Sequence, residues 1–247
     1  VIIRGPIDDD GGAGTEITIV FQPIVDLETW SVVGFEALAR FSDGEPPPVH
    51  LARADAAGSR EELELDLIRD AIAESASLPD GMFVTLNASG STILRPELED
   101  VLGACIRPWG LELYEGATSA DLGAVRERVT RLGGQLLVDD AGAASADESR
   151  ITTLRPDVVK IDRALFWQIA DDATARARLK RLLDAARGAG ATVLVEGVSD
   201  DLHLERARGL GADFAQGFHL GMPTVAEHMT AALSELHRRV GVDAPGL

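Results

Sequence analysis

One pattern repeats through most of this chain: a short apolar run ends on a polar side chain, and a segment with apolar residues at helical spacing follows. Val33-Gly34-Phe35 runs into Glu36, Phe83-Val84-Thr85-Leu86 into Asn87, and Leu111–Tyr114 into Glu115. Leu136-Leu137-Val138 runs into Asp139 and Asp140, Val158-Val159 into Lys160, Val193-Leu194-Val195 into Glu196, and Phe214-Ala215 into Gln216. Strands that alternate with helices imply a mostly parallel sheet.

The alternation predicts strands at Ile17–Leu27, Val32–Phe41, Met82–Asn87, Leu111–Glu115, Gln135–Asp140, Val158–Asp162, Thr192–Val198 and Phe214–Leu220. The first two are linked only by the turn around Glu28-Thr29-Trp30, which suits an antiparallel pair. A Pro-rich loop follows at Pro46–Pro48. Helices are predicted around Glu61–Ala76, Pro96–Cys105, Leu122–Leu132, Ala175–Arg187, Asp201–Leu210 and Val225–Arg239, from apolar positions at helical spacing.

Eight strands in 247 residues point to closure as a TIM-type (β/α)8 barrel with an antiparallel first strand, a fold of roughly 250 residues. An open doubly wound sheet is the rival. It is weakened because the chain lacks both a glycine-rich dinucleotide turn and a phosphate loop ending in Gly-Lys-Ser/Thr. Residues 1–16, with Asp8-Asp9-Asp10-Gly11-Gly12, read as a linker or extension, 17–240 as the barrel and 241–247 as a tail. The chain begins at Val1 rather than Met, which reads as a piece of a longer protein.

In a closed parallel barrel the downstream strand ends meet on one face, where active sites sit. The scattered carboxylates should therefore converge, and their repulsion needs a cation. Oxygen donors with one Asn carbonyl, and no His or Cys, favour hard ions such as Mg²⁺ or Mn²⁺. Asp139 and Asp140 together could serve two of them. Two hard metals suit phosphodiester hydrolysis, with Lys160 holding or deprotonating the attacking water. Arg40, on the Glu36 side of its strand, can clamp a phosphate. Taken singly, Glu36 or Glu115 would be an ordinary loop residue and Asp139-Asp140 a turn. The repetition from strand to strand makes the case.

A formal charge of −18 argues against a nucleic-acid polymer as partner. No stretch approaches the ~18 apolar residues of a membrane helix, so no membrane contact is expected. A single cysteine, Cys105, excludes an internal disulfide and suits a reducing compartment, so a cytoplasmic location is expected.

Phe21-Gln22-Pro23-Ile24-Val25 and Glu36-Ala37-Leu38-Ala39-Arg40 resemble the opening signature of EAL domains. Further matches come in that family's order: Leu86-Asn87-Ala88-Ser89, Leu113-Tyr114-Glu115, Asp139-Asp140-Ala141-Gly142, Val159-Lys160-Ile161-Asp162-Arg163, Glu196-Gly197-Val198 and Gln216-Gly217-Phe218. The resemblance implies hydrolysis of cyclic-di-GMP to linear pGpG with two Mg²⁺ or Mn²⁺ ions. By position, Glu36, Asn87, Glu115 and Asp139 resemble ligands of one metal, and Asp139 and Asp140 those of the other. Lys160, Glu196 and Glu36 resemble the catalytic set, and Gln22, Leu38, Arg40 and Gln216 the substrate contacts.

The chain also departs from the family pattern. Ala141 stands where Phe is usual, the loop Ala143–Ser149 lacks the customary aromatic, Ser199 replaces a second Glu, and Tyr114 replaces Thr. The alternative these raise is a non-hydrolytic cyclic-di-GMP sensor or interaction module. The resemblance also leaves room for a homodimer and an upstream sensory domain.

Overall fold

A computed structural model of the chain describes residues 3–4, 15–114, 119–143 and 147–244. Its nine strands are β1 (Ile3–Arg4), β2 (Glu16–Asp26), β3 (Ser31–Phe41), β4 (Phe83–Ala88), β5 (Trp109–Leu113), β6 (Gln135–Ala141), β7 (Val158–Ile161), β8 (Thr192–Val195) and β9 (Phe214–Ala215). From β3 to β9 each strand runs parallel to the next. β2 is antiparallel to both β3 and β9, and it closes β2–β9 into a barrel of eight. The expected barrel with its antiparallel first strand is what forms.

β1 adds an antiparallel pair, Ile3 with Ile17, inside the stretch read as a linker. The rest of residues 1–14 lies outside the described residues, as does 245–247 of the expected tail.

The helices are α1 (Pro47–Ala57), α2 (Arg60–Ser75), α3 (Gly90–Leu94), α4 (Glu97–Leu102), α5 (Ser119–Leu132), α6 (Asp147–Leu154), α7 (Arg163–Gln168), α8 (Ala173–Ala189), α9 (Asp201–Gly209) and α10 (Ala226–Val240). Outward strand residues such as Val84, Leu111, Leu113, Val138 and Val193 pack with Ile68, Val125, Leu182 and Leu233 of the helices in one large core. Each such burial is worth about 1.5–3 kcal/mol.

A second, smaller cluster fills the barrel's interior. Ile24, Leu137, Val158 and Leu194 are buried together, with Val33, Phe83 and Phe214 against them. Glycines make the room: a Cβ on Gly34 would lie 2.6 Å from the Phe83 ring, and one on Gly110 would lie 2.5 Å from Leu137 Cδ1. This plug places the polar residues. Side chains along a strand return to the same face every second residue. Two residues beyond Gly34, Gly110, Leu137, Val158, Leu194 and Phe214 come Glu36, Glu112, Asp139, Lys160, Glu196 and Gln216. On the reversed β2, two residues before Ile24 comes Gln22. A polar layer therefore sits directly on an apolar one.

Three expectations need correction. The segment after Pro46 is a helix, α1, with proline in its first turn and Gly58 (φ 71°) at its C-cap. None of its residues is buried, so it has no apolar stripe to reveal it. The predicted strand Thr192–Val198 stops at Val195, because Gly197 turns left-handed at φ 73°. The predicted strand Phe214–Leu220 stops at Ala215, and Gly217 follows at φ 155°.

Candidate metal and phosphodiester site

Lys160 is the centre of the polar layer. Its Nζ lies 2.5 Å from Glu112, 2.9 Å from Asp139, 2.9 Å from Glu196 and 3.4 Å from Glu36. Lys160 and Glu112 are fully buried, and Glu36 nearly so. Burial alone would lower the Lys160 pKa. The carboxylates of Asp139, Glu112, Glu196 and Glu36 outweigh that and hold it well above the usual lysine range. Lys160 is thus a fixed cation.

One ammonium does not balance four carboxylates. Burial, then the charge of Glu36, pushes the Glu112 carboxyl well above its ordinary range, against the pull of Lys160. Glu196 is raised to about 8, first by burial, with Asp139 and Glu36 adding and Lys160 opposing.

Asp139 and Asp140 join the site by breaking strand geometry. Consecutive residues of a regular strand face opposite ways. Here the β6–β7 register shifts between Val138 and Ala141, and Asp140 is left-handed at φ 53°. Asp tolerates that conformation better than most residues. As a result Asp139, Asp140 and Glu196 each offer an oxygen within 4.8 Å of the others.

A hard divalent cation fits this donor set. The oxygens are carboxylate, the charge is in excess, and Glu112 Oε1 is buried with no hydrogen-bond partner among the described residues. Asn87 lines the same cavity as Glu36, Asp139 and Asp140, with its Nδ2 3.5 Å from the Ala37 carbonyl.

On the other side, Gln216 Nε2 donates to Glu36 Oε2 at 2.5 Å and to Gln22 Oε1 at 3.0 Å. Gln22 in turn donates to the Gly221 carbonyl at 2.9 Å. Two cavities open over the layer. One, of about 530 Å³, runs beneath α1 and α2 and is lined mainly by apolar residues such as Pro47, Leu51, Leu67 and Ala71. The other, of about 600 Å³, lies over Gln22, Glu196, Gln216, Trp167 and Phe218. Glu36, Leu38, Pro48 and Asp140 border both.

The structure thus brings together Gln22, Glu36, Leu38, Asn87, Asp139, Asp140, Lys160, Glu196 and Gln216. Arg40 stands apart: it is exposed, lines neither cavity, and donates to its neighbour's carbonyl, Ala39 O, at 2.8 Å. Glu115 and residues 144–146 of the altered loop lie outside the described residues.

The residue that the strand-end reading missed is Glu112. The interior parity, two residues past Gly110, is the signal that finds it. A second unread feature is a cluster at the first cavity. Tyr114 donates to Glu64 and accepts from Arg60, and Glu64 also accepts from the Ser89 backbone at 2.8 Å and hydroxyl at 2.7 Å.

Comparison with known proteins agrees with this fold. The sequence matches the EAL domain family over residues 12–223. An uncharacterized protein of Azorhizobium caulinodans is 30% identical over 227 residues, covering 83% of this chain and 31% of its own length. The Escherichia coli protein named as probable cyclic di-GMP phosphodiesterase PdeI is 27% identical over 224 residues, covering 82% of this chain and 28% of itself. The chain thus spans less than a third of these relatives. Among solved structures, Klebsiella pneumoniae BlrP1, in a manganese and cyclic-di-GMP complex, superposes with a TM-score of 0.74 at 26% identity, covering 92% of this chain and 60% of that one. Among the described residues no helix is long and apolar enough to cross a membrane.

Proposed function

The chain belongs to the EAL-domain family, and from that premise we propose that it hydrolyses cyclic-di-GMP to linear pGpG with two divalent cations, Mg²⁺ or Mn²⁺. The observation that carries this reading is the grouping of Asp140 with Asp139 and Glu196, where Asp139 and Glu196, together with Glu36 and Glu112, surround the Lys160 ammonium. The E. coli relative's name and the ligands of the Klebsiella complex support it.

Asp139, Asp140, Glu196, Glu36, Glu112 and Asn87 would hold the ions, with Glu115 also a candidate. Bound divalent ions supply an activated water and offset charge on the phosphoryl oxygens. Lys160, a fixed cation, orients an attacking water by donation, and of its two expected roles holding fits better than deprotonating. Gln216 fixes the Glu36 carboxylate by donation from its amide, and Gln22, which accepts from the same amide, holds Gln216 in place. The two cavities, joined at Leu38 and Asp140, accommodate the two halves of a dinucleotide. Arg40 would reach a phosphate after releasing the Ala39 carbonyl.

We also assign the module a cytoplasmic place of action and an upstream sensory partner. That fits relatives more than three times as long as the matched region. Homodimerisation is part of the same reading.

The test is direct. Purified protein is incubated with cyclic-di-GMP and Mg²⁺ or Mn²⁺, and products are separated by chromatography. Appearance of pGpG, abolished by Glu36→Gln, is expected. Folded protein that binds the dinucleotide without cutting it under either metal would overturn hydrolysis and assign a sensor instead.

A further inference from the structure

The loop carrying Glu196 has an unusual fastening. Glu196 N donates to the Ile161 carbonyl at 3.2 Å, Val198 N to the Gln216 carbonyl at 3.0 Å, and His219 N to the Val198 carbonyl at 3.0 Å. The Gly197 carbonyl accepts from a side chain, the Trp167 indole Nε1, at 2.8 Å. Trp167 is itself held: its ring stacks on His203 at 5.8 Å and 9°, and the Arg163 guanidinium lies 6.0 Å from its centroid. His203 Nδ1 in turn shares a 2.8 Å hydrogen bond with Ser199, two residues past Gly197.

Gly197 must be glycine for this approach. It is left-handed at φ 73°, and a Cβ there would lie 2.5 Å from Arg163 Cβ. Trp167 belongs to α7, which starts directly after Lys160-Ile161 and is N-capped by Asp162, whose carboxylate accepts from Ala164 N and Leu165 N.

Lys160 and Glu196 are therefore connected twice. One connection is their 2.9 Å ion pair, and the other runs through Asp162, α7, the indole and Gly197. We propose that Trp167 is a positioning residue: its indole N–H sets the Gly197 carbonyl and so fixes the Glu196 carboxylate against Lys160 and the Asp139–Asp140 pair. An effect on turnover rests on the hydrolase reading above, whereas an effect on cation binding does not.

Trp167→Phe keeps the ring on His203 and removes only the donor. Loss of one hydrogen bond predicts Mn²⁺ binding about fivefold weaker by titration of free Mn²⁺. Turnover should fall by a similar factor in kcat at unchanged KM. In wild-type protein with ¹⁵N-labelled indoles, the Trp167 signal is assigned by elimination with Trp30→Phe and Trp109→Phe. It should shift on adding Mg²⁺, and Glu196→Gln should abolish the shift.

If Mn²⁺ affinity is unchanged in Trp167→Phe and the indole signal is silent to metal, the role is overturned. If Trp167→Phe fails to fold, the indole shift and its loss in Glu196→Gln decide alone. A metal-responsive indole in a protein that makes no pGpG would keep the positioning role and sink the hydrolase reading.

Discussion

Lys160 Nζ donates to Glu112 Oε2 at 2.5 Å inside the barrel, with neither side chain open to solvent. The pair is asymmetric. Lys160 also faces Glu36, Asp139 and Glu196, whereas Glu112 has Lys160 as its hydrogen-bond partner and an orphaned second oxygen. Lys160→Met should therefore cost about 3 kcal/mol of stability without divalent metal, as when a buried pair is broken. Glu112→Gln should cost only about 1 kcal/mol, because the lysine keeps three other partners. Urea unfolding in chelator measures both, and equal losses would refute the asymmetry.

Cation binding should appear as stability before any substrate is added. A ligand that binds only the folded state at a hundred times its Kd adds about 2.7 kcal/mol. Mn²⁺ should raise the melting temperature of the wild type. The rise should vanish in Asp139→Asn/Asp140→Asn, which removes two charges from the group shared with Glu196. A metal-induced rise of equal size in that variant would place the ion elsewhere.

The barrel was legible because strands from Val32–Phe41 onward run into chemically conspicuous residues, and its antiparallel first strand because only a short turn joins the first two strands. Glu112 was not, for a physical reason. In a barrel both faces of a strand are covered, so the alternation in Leu111-Glu112-Leu113, which in a half-exposed strand would put the Glu in solvent, puts it in the interior instead, and the strand-end pattern favours Glu115. What picks out Glu112 is its place two residues above the Gly110 gap, a relation between strands and not within one. The same limit hid α1, which buries nothing, and the Asp139–Asp140 bulge, whose sequence is equally that of a turn. Arg40 shares the parity of Glu36 and Leu38, but β3, paired there with the equally long β2 and well beyond the end of its pairing with β4, carries it past the cavities to an exposed position.

Space in the plug should be limiting. An added methyl at Gly110 would stand 2.5 Å from Leu137 Cδ1. Gly110→Ala should destabilise by about 1–3 kcal/mol, the usual cost of overpacking. Because the obstacle is one side-chain end, combining it with Leu137→Ala should give less than the sum of the two single losses. Strict additivity in a double-mutant cycle would mean that the two positions do not share space.

Glu64 supplies the pH dependence. Burial raises its pKa, but hydrogen bonds from Thr92, Tyr114 and Ser89 outweigh burial and leave it below its ordinary value of 4.5. A depressed folded-state pKa means that the folded protein binds the proton less readily than the unfolded chain does. The ionised Glu64 therefore contributes its stability in full above pH 4.5, and the contribution fades as pH falls through the lower folded value. At pH 7 Glu64→Gln should be less stable by about 2 kcal/mol, as expected when charge-assisted hydrogen bonds to a buried carboxylate are weakened. Below pH 4.5 the gap between the two proteins should narrow steadily, because wild type loses what the variant never had. Denaturant melts at pH 7, 5, 4 and 3.5 would follow it. A gap that stays constant across this window would show that Glu64 is not held ionised by Tyr114 and Ser89, and the cluster at the first cavity would then be packing alone.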